Sequence, residues 1–147
     1  MSINFNTTKV VNSDVISLEN LILDVENYHN FLHWCKVVKL RCEGEEMITE
    51  VTIATIYSYK FNCKIKVSRG QDVQIDISGA KIMQFAFTGK WVLKPINSTE
   101  VRVFFTIDIN FFLPFMERLI KPRMAKYCEE IVNCFLEELQ QRRGKNA

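Results

Sequence analysis

The side chains best suited to chemistry are His29 and His33, the only histidines in the chain. They stand four residues apart, so on a helix both would lie on one face, where they could bind a metal ion together. A zinc site needs further ligands, and only Glu26 or Cys35 is close enough in sequence to supply one. The spacing therefore favours exposed histidines over a metal site. His33 could act as a general acid or base only if it faces a pocket.

Neither the carboxylates nor the cysteines form a pattern typical of catalysis. Asp76 and Asp108 lie on predicted strands, opposite the apolar rows, which predicts that both face solvent. The five cysteines are odd in number and lack a C-x-x-C pair, so they predict neither a disulfide framework nor a thiolate zinc site. We therefore predict no catalytic residue, no metal and no required cofactor. A shaped cavity could still cyclise a reactive chain with little help from an acid or a base.

The composition is that of a folded domain, which we expect to span residues 1–147. Of the 147 residues, 48% are hydrophobic, 12% are aromatic and eleven are Phe, more than ordinary packing needs. A chain of this length buries roughly 70% of its extended surface on folding. The first residues resemble no secretory leader, and eighteen apolar residues never run together, so we expect a bacterial cytoplasmic protein.

The charge pattern limits the macromolecules that this chain could bind. A net charge of +2 is too small for general attraction to nucleic acid or membrane, and we expect no DNA binding. Two basic clusters lie at 121–126 and 142–145, but acidic residues are interspersed among them. The charge pattern does not decide whether the protein makes a modest contact with ribosomal RNA or with anionic lipid headgroups.

Hydrophobic periodicity predicts strands at the start and in the middle of the chain. A strand at 3–11 precedes a helix that Ser13 or Asp14 would cap, and a short second helix follows at 28–32. Apolar and polar residues then alternate in six strands joined by short turns, which predicts an antiparallel meander. These strands are predicted at 37–42, 47–57, 60–67, 72–77, 82–93 and 101–109.

The last third of the chain has helical spacing. The helix would begin near Pro114 and kink or restart at Pro122, because a proline inside a helix costs about 3 kcal/mol. Its apolar stripe consists of Met116, Ile120, Met124, Tyr127, Ile131, Phe135 and Leu139. About seven strands are more than a flat layer of this size usually holds, so we expect the sheet to curl.

Four stretches carry a family pattern. They are Tyr28-x-x-Phe31-Leu32-x-Trp34-Cys35 after 24–26, Gly89-x-Trp91-x-Leu93-x-Pro95, residues 103–111, and Ile131-Val132-x-x-Phe135. Together they resemble the START-like (SRPBCC) superfamily, in the branch of coenzyme Q-binding START-domain, ribosome-association toxin and polyketide cyclase-like proteins. The resemblance implies an α+β helix-grip fold of order β-α-α-β(6)-α. In that fold a curved antiparallel sheet of about seven strands surrounds a long C-terminal helix.

The same resemblance implies a cavity between the sheet and the long helix. The aromatic segment around Phe31 and Trp34 would form its lip. The wall would come from inward strand residues and from the helix stripe, namely Phe61, Phe85, Phe87, Trp91, Phe105, Met116, Ile120, Met124 and Tyr127. The alternative is that these residues only fill an ordinary core.

The resemblance implies a carrier that sequesters ubiquinone or a related polyprenyl quinone or lipid and supports respiratory electron transport near the inner membrane. The competing implications are a ribosome-association toxin that binds the large ribosomal subunit and a polyketide cyclase/dehydrase-like enzyme. An aromatic wall favours the carrier, because aromatic side chains stack on a quinone ring. Buried apolar surface would stabilise the complex by about 25 cal/mol per Å².

Overall fold

Seven strands form one antiparallel sheet in the order β1-β7-β6-β5-β4-β3-β2 within the part of the chain that the structure describes. The computed structural model describes residues 2–54, 58–79, 85–111 and 114–145. The strands are β1 Ser2–Asn12, β2 Cys35–Glu43, β3 Glu46–Ala54, β4 Ser58–Arg69, β5 Val73–Gly79, β6 Phe85–Pro95 and β7 Glu100–Phe111. All neighbouring strands are antiparallel, which confirms the predicted meander. Parts of the predicted third and sixth strands, at 55–57 and 82–84, lie outside the described residues.

The helices are α1 (Val15–Leu23), a 3-10 helix (Val25–Asn30) and α2 (Pro114–Lys145). The Asp14 carboxylate caps α1, because it accepts hydrogen bonds from the Ser17 amide at 2.9 Å and from its hydroxyl at 2.7 Å. None of the helices in the described ranges combines the length and the apolar character needed to cross a membrane.

Two predictions about the helices need correction. The short helix expected at 28–32 is a 3-10 helix that begins three residues earlier, at Val25. At the start of this helix, the Asp24 carboxylate accepts hydrogen bonds from the Asn27 side chain at 2.8 and 2.9 Å. The long helix begins at Pro114 as predicted, but it continues unbroken through Pro122, so the expected restart is wrong. Pro122 is exposed, and the same helix packs on the sheet through residues further along.

The turns follow from residues with suitable local chemistry. Gly44, between β2 and β3, has φ 61°, a left-handed conformation that favours glycine. Between β6 and β7, the Asn97 side-chain oxygen accepts the amide hydrogen of Thr99 at 2.9 Å. Such short turns hold consecutive strands side by side and fix which residues of each strand face the helices.

Both α-helices pack against one face of the sheet, here called the inner face. Leu18, Leu21 and Ile22 of α1 are fully buried, as are Val132 and Phe135 of α2. The inner-face residues of β4 are Phe61, Cys63, Ile65 and Val67, as the alternation predicts. The curved seven-stranded sheet with its long C-terminal helix is the predicted helix-grip arrangement.

One acidic side chain within this core was not expected from the sequence. Glu19 of α1 is only 8% exposed, and its carboxylate accepts two hydrogen bonds from the Arg69 guanidinium, at 2.6 and 2.7 Å. A third contact, at 2.9 Å, joins Arg69 to Glu45 in the turn between β2 and β3. The buried charge is thereby paired, and α1 is fastened to the end of β4.

Candidate functional site

The aromatic residues of the inner face gather around Phe135 of α2. The rings of Tyr28, Phe31 and Trp91 each lie 5.1 Å from the Phe135 ring, between centroids. Trp91 also lies 4.5 Å from Phe105 of the neighbouring strand. The predicted lip residue Phe31 therefore packs between the 3-10 helix and α2, where it covers the interior from one side.

The remaining lip residues are fixed by polar contacts. The Tyr28 hydroxyl donates a hydrogen bond to the carbonyl of Ile22, and burial, then the nearby Cys35 and Asp24, raise the pKa of Tyr28. Trp34 is half-buried against the core, and its carbonyl accepts the amide hydrogen of Ala54 at 2.8 Å. The lip is thus attached to both α1 and the end of β3.

Burial of the inner face changes along β5, β6 and β7. At one end, here called the closed end, Ile75, Leu93, Val101 and Val103 are at most 1% exposed. Further along the strands, by two residues on β5, four on β7 and six on β6, the interior is less well covered. The half-buried apolar side chains of this open end are Phe5, Ile77, Phe87 and Ile107, although Ile109 opposite Phe87 is buried. The open end is therefore the part of the interior where apolar surface stays available.

A glycine occupies the middle of the open end. Gly89 lies opposite Ile77 on β5 and Ile107 on β7, on the face shared by Phe87 and Trp91. A Cβ added there would meet Ile77 Cβ at 3.7 Å and the Thr106 carbonyl oxygen at 3.8 Å, which are ordinary van der Waals contacts. The described neighbours would therefore leave room for a Cβ at residue 89. The glycine instead leaves the wall without a side chain at this position.

A second glycine nearby has the opposite surroundings. A Cβ on Gly79 would lie 2.4 Å from Cε1 of Phe87, so the Phe87 ring covers this glycine directly. The same ring makes an edge-to-face contact with Phe61, with 5.4 Å between centroids. Phe61 and Phe87, which are predicted wall residues far apart in sequence, therefore meet beside the open end.

Apart from Lys9 and Lys39 on the edge strands β1 and β2, the polar side chains described on the inner face of the sheet are uncharged. Burial raises the pKa of Cys63 to about 12, with a smaller contribution from Cys35, and raises the pKa of Cys35 and Cys128 to about 11. These thiols are therefore protonated near neutral pH and are poor nucleophiles. Thr49 is fully buried, and its hydroxyl donates to the Cys63 carbonyl at 3.3 Å. Such a wall suits an uncharged ligand.

On the helix side of the predicted wall, the prediction for Tyr127 is wrong. Tyr127 is 44% exposed, so it does not face the interior. The buried stripe of α2 runs instead through Cys128, Val132, Phe135 and Leu139. It begins at Cys128 where the predicted stripe has Tyr127, one residue earlier. The side chains of Met116, Ile120 and Met124, and that of Phe85 on β6, lie outside what the structure describes.

A groove of about 470 Å³ separates β1 from α2. Phe5, Asn6 and Thr7 line it on the strand side. The helix side is lined by Ala125, Cys128 and Asn133 together with the charged residues Lys126, Glu129 and Glu130. Phe5 belongs to the open end and Cys128 to the buried stripe of α2, so the groove leads from the surface towards the interior. The sequence offered no signal for this groove, because it depends on the distance between two elements far apart in the chain.

The residues considered for other chemistry lie away from this interior. His29 and His33 are exposed, as predicted, and the Nδ1 atom of His33 lies 3.1 Å from the His29 carbonyl oxygen. Asp108 is exposed and accepts a hydrogen bond from Asn4 at 2.6 Å, whereas Asp76 is half-buried beside Gln74. Across the described residues, His, Cys, Asp and Glu side chains nowhere gather in a group of three that could hold a metal ion.

Comparison with solved structures supports the fold. The chain is similar to the Zhui aromatase/cyclase of Streptomyces sp. R1128, with a TM-score of 0.81, 11% identity and coverage of 97% and 96% of the two chains. It is also similar to a START superfamily protein of Mycobacterium smegmatis, with a TM-score of 0.75, 12% identity and coverage of 95% and 97%. For norcoclaurine synthase of Thalictrum flavum the TM-score is 0.73, with 7% identity and 97% coverage of each chain.

Two sequence comparisons extend this result. The ribosome association toxin RatA of Pseudomonas aeruginosa is 20% identical over 130 residues, which cover 87% of this chain and 89% of that protein. The family model described as polyketide cyclase / dehydrase and lipid transport matches residues 20–136. Since this match includes most of the chain, the protein belongs to the polyketide cyclase/dehydrase and lipid transport family.

Proposed function

We propose that this protein binds an uncharged hydrophobic ligand between the open end of the inner face and α2. The observation that carries the proposal is the wall around Gly89, where half-buried apolar side chains surround a position that has no side chain. A strand glycine that crowding does not require is typical of a place where another molecule approaches the backbone. The groove beside Phe5 and Cys128 would give such a ligand a route from solvent.

The ligand that best fits this chemistry is a polyprenyl quinone such as ubiquinone, or a related lipid. The neutral wall would accept an isoprenoid chain without burying an unpaired charge. The edge-to-face pair formed by Phe61 and Phe87 offers aromatic surface to a quinone ring. Each 100 Å² of apolar ligand surface removed from water would contribute about 2.5 kcal/mol before the costs of binding.

We propose a carrier rather than a catalyst. The thiols on the described inner face have raised pKa values, so they are protonated where a nucleophile would need to be ionised. Sequestration needs only burial, which this interior supplies. In this role the protein would hold or deliver quinone for respiratory electron transport and would contact the inner membrane peripherally when it loads. Cyclisation of a polyketide would use the same cavity and is the enzymatic alternative.

The proposal is tested by filling the space at Gly89. Gly89→Leu should lower the affinity for decylubiquinone by about tenfold or more, because the new side chain occupies the volume that the ligand needs. Quenching of the Trp34 and Trp91 fluorescence would report binding. The matched control is Thr88→Leu, which adds the same side chain to the exposed outer face of the same strand.

Both variants should melt within a few degrees of the wild type, since glycine in a strand is itself destabilising. Unchanged quinone affinity in a folded Gly89→Leu variant would place the ligand elsewhere. If neither the wild type nor the control binds decylubiquinone, the quinone is the wrong ligand. Other hydrophobic compounds extracted from the purified protein would then identify the right one.

The second candidate function is association with the large ribosomal subunit. It is favoured by the similarity to a ribosome association toxin over 87% of this chain. Sedimentation of the purified protein with large subunits, weakened by added salt, would support this function, because contacts with RNA phosphates release counterions. Gly89→Leu should leave that sedimentation unchanged, which separates the two functions in one experiment.

A further inference from the structure

The outer face of the sheet carries a cluster of basic residues on β6 and β7. Side chains on this face alternate with those of the inner face, so Lys90 and Lys94 of β6 lie beside Arg102 and Phe104 of β7. The three cations are exposed and Phe104 is half-buried. These four residues are here called the outer basic patch. The basic clusters noticed in the sequence are different ones, since both belong to α2.

The charges of the patch are arranged unfavourably for the isolated protein. Lys94 and Arg102 are direct cross-strand partners, and like charges in that position destabilise a sheet. Among the described residues, Arg102 and Lys90 have no carboxylate within ion-pair distance, although Asp76 is the cross-strand partner of Lys90. Across the described ranges, the carboxylate within ion-pair distance of Lys94 is that of Asp72, at 3.9 Å. An anion placed over the patch would relieve this repulsion.

The lysines on the other half of the outer face are mostly paired. Lys60 lies 3.7 Å from Glu50 and Lys64 lies 3.7 Å from Glu46, although Lys66 has no such contact among the described residues. Lys94 makes a comparable contact with Asp72, so the two halves differ most at Arg102, a cation beside Lys94 without a carboxylate in ion-pair distance in the part of the chain that the structure describes.

Phe104 adds a surface that a simple anion would not need. The Lys94 ammonium lies 5.4 Å from the centre of the Phe104 ring, so a cation and an aromatic face are adjacent. Lys90 and Lys94 stand four residues apart, or about 13 Å along the strand. A chain of phosphates with bases attached matches this combination, since phosphates pair with the cations while a base stacks on the ring.

A lipid surface matches the patch less well. Binding to a membrane interface usually requires large apolar side chains that protrude and insert among the lipids. Among the described residues near the patch, the exposed apolar side chains are Val10, opposite Arg102 on β1, and Ile96 in the turn after β6, neither of them aromatic, whereas Val92 and Phe104 are half-buried. The partner chemistry that fits best is therefore an anionic polymer with aromatic groups.

We propose that the outer basic patch binds single-stranded RNA. Arg102, Lys94 and Lys90 contact phosphates, and Phe104 stacks on a base. The site lies on the face of the sheet opposite the ligand-binding interior, so it does not depend on the proposed quinone site. A loss of RNA binding and a loss of quinone binding are distinguishable, because the variants that test them lie on opposite faces.

The test uses fluorescence anisotropy with a fluorescein-labelled polyuridine strand of about twelve nucleotides, a length within the range of known single-strand sites. The double variant Lys94→Glu/Arg102→Glu should bind this RNA at least about tenfold more weakly than the wild type. The slope of the logarithm of the binding constant against the logarithm of the salt concentration should become shallower by about 1.4, because each of the two lost phosphate contacts contributes about 0.7. The matched control is Lys60→Glu/Lys64→Glu, which makes the same charge change on the paired half and should alter binding much less.

Phe104→Ala should weaken RNA binding while leaving binding to heparin, a polyanion without bases, unchanged. Equal losses in the two double variants would overturn the proposal, because they would indicate attraction by net charge alone. The proposal is also overturned if phosphatidylglycerol vesicles, and not RNA, bind in a manner that depends on Lys94 and Arg102. Thermal melts within a few degrees of the wild type should verify that each patch variant is folded.

Discussion

The closed and the open end of the inner face are built from the same strands and the same alternation, yet they differ in how completely they are covered. At the closed end Leu93 and Val103 are sealed by neighbouring apolar side chains, whereas Phe87 and Ile107 of the same strands remain half-buried at the open end. Complete burial contributes stability, and incomplete burial leaves apolar surface for a ligand. Under the proposed function, the closed end supports the fold and the open end binds the ligand.

The largest effect should come from removing the centre of the aromatic cluster. Phe135→Ala should lower the free energy of unfolding by about 3–5 kcal/mol, because a buried ring in contact with three others leaves a cavity. Ile107→Ala at the open end should cost only about 1–2 kcal/mol, since its side chain is half-buried. Urea unfolding measures both values. A cost for Ile107→Ala as large as that for Phe135→Ala would contradict the half-buried environment of Ile107.

The next largest effect on stability should distinguish Gly79 from Gly89. Gly79→Ala should lower the free energy of unfolding by about 1–3 kcal/mol, because its Cβ would overlap the Phe87 ring and force it aside. Gly89→Ala should be neutral or slightly stabilising, as the space there accepts a Cβ. Thermal melts of the two variants test this difference. The reverse order of stability would show that the open space lies at Gly79 instead.

A smaller effect should appear at alkaline pH, where the buried thiols beside the open end titrate. Folding raises the pKa of Cys63 from 9.0 to about 12, so the folded state keeps a proton that the unfolded state loses. Stability is therefore complete below pH 9 and falls as the pH rises towards the folded pKa, by about 1 kcal/mol per unit for a buried thiol. Urea unfolding between pH 8 and 10 should show this slope, and Cys63→Ala should make it shallower. An unchanged slope in the variant would assign the effect to other groups.

Most of the fold could be predicted because it depends on local patterns. The alternation of Phe61, Cys63, Ile65 and Val67 correctly identified a strand and its inner face, and Pro114 marked the start of α2. The family pattern supplied the arrangement of these elements, which strand periodicity alone does not determine.

The site was harder to predict, because it depends on neighbours that the sequence does not reveal. Helical periodicity predicted a stripe of α2 through Tyr127, and only packing against the sheet selects Cys128 instead. Gly89 has no side chain to signal a role, although it lies at the centre of the open end. The pairing of Glu19 with Arg69 joins residues fifty positions apart and has no local signature.

Ligand binding at the open end is tested most directly by mass spectrometry of organic extracts from purified wild-type, Gly89→Leu and Thr88→Leu proteins. We expect a quinone or another neutral lipid in the wild type and in Thr88→Leu, and its loss from Gly89→Leu although that variant remains folded. A ligand retained equally by all three proteins would contradict the assignment of the open end as the binding site. Extracts without any ligand, together with no uptake of decylubiquinone, would contradict the carrier function itself.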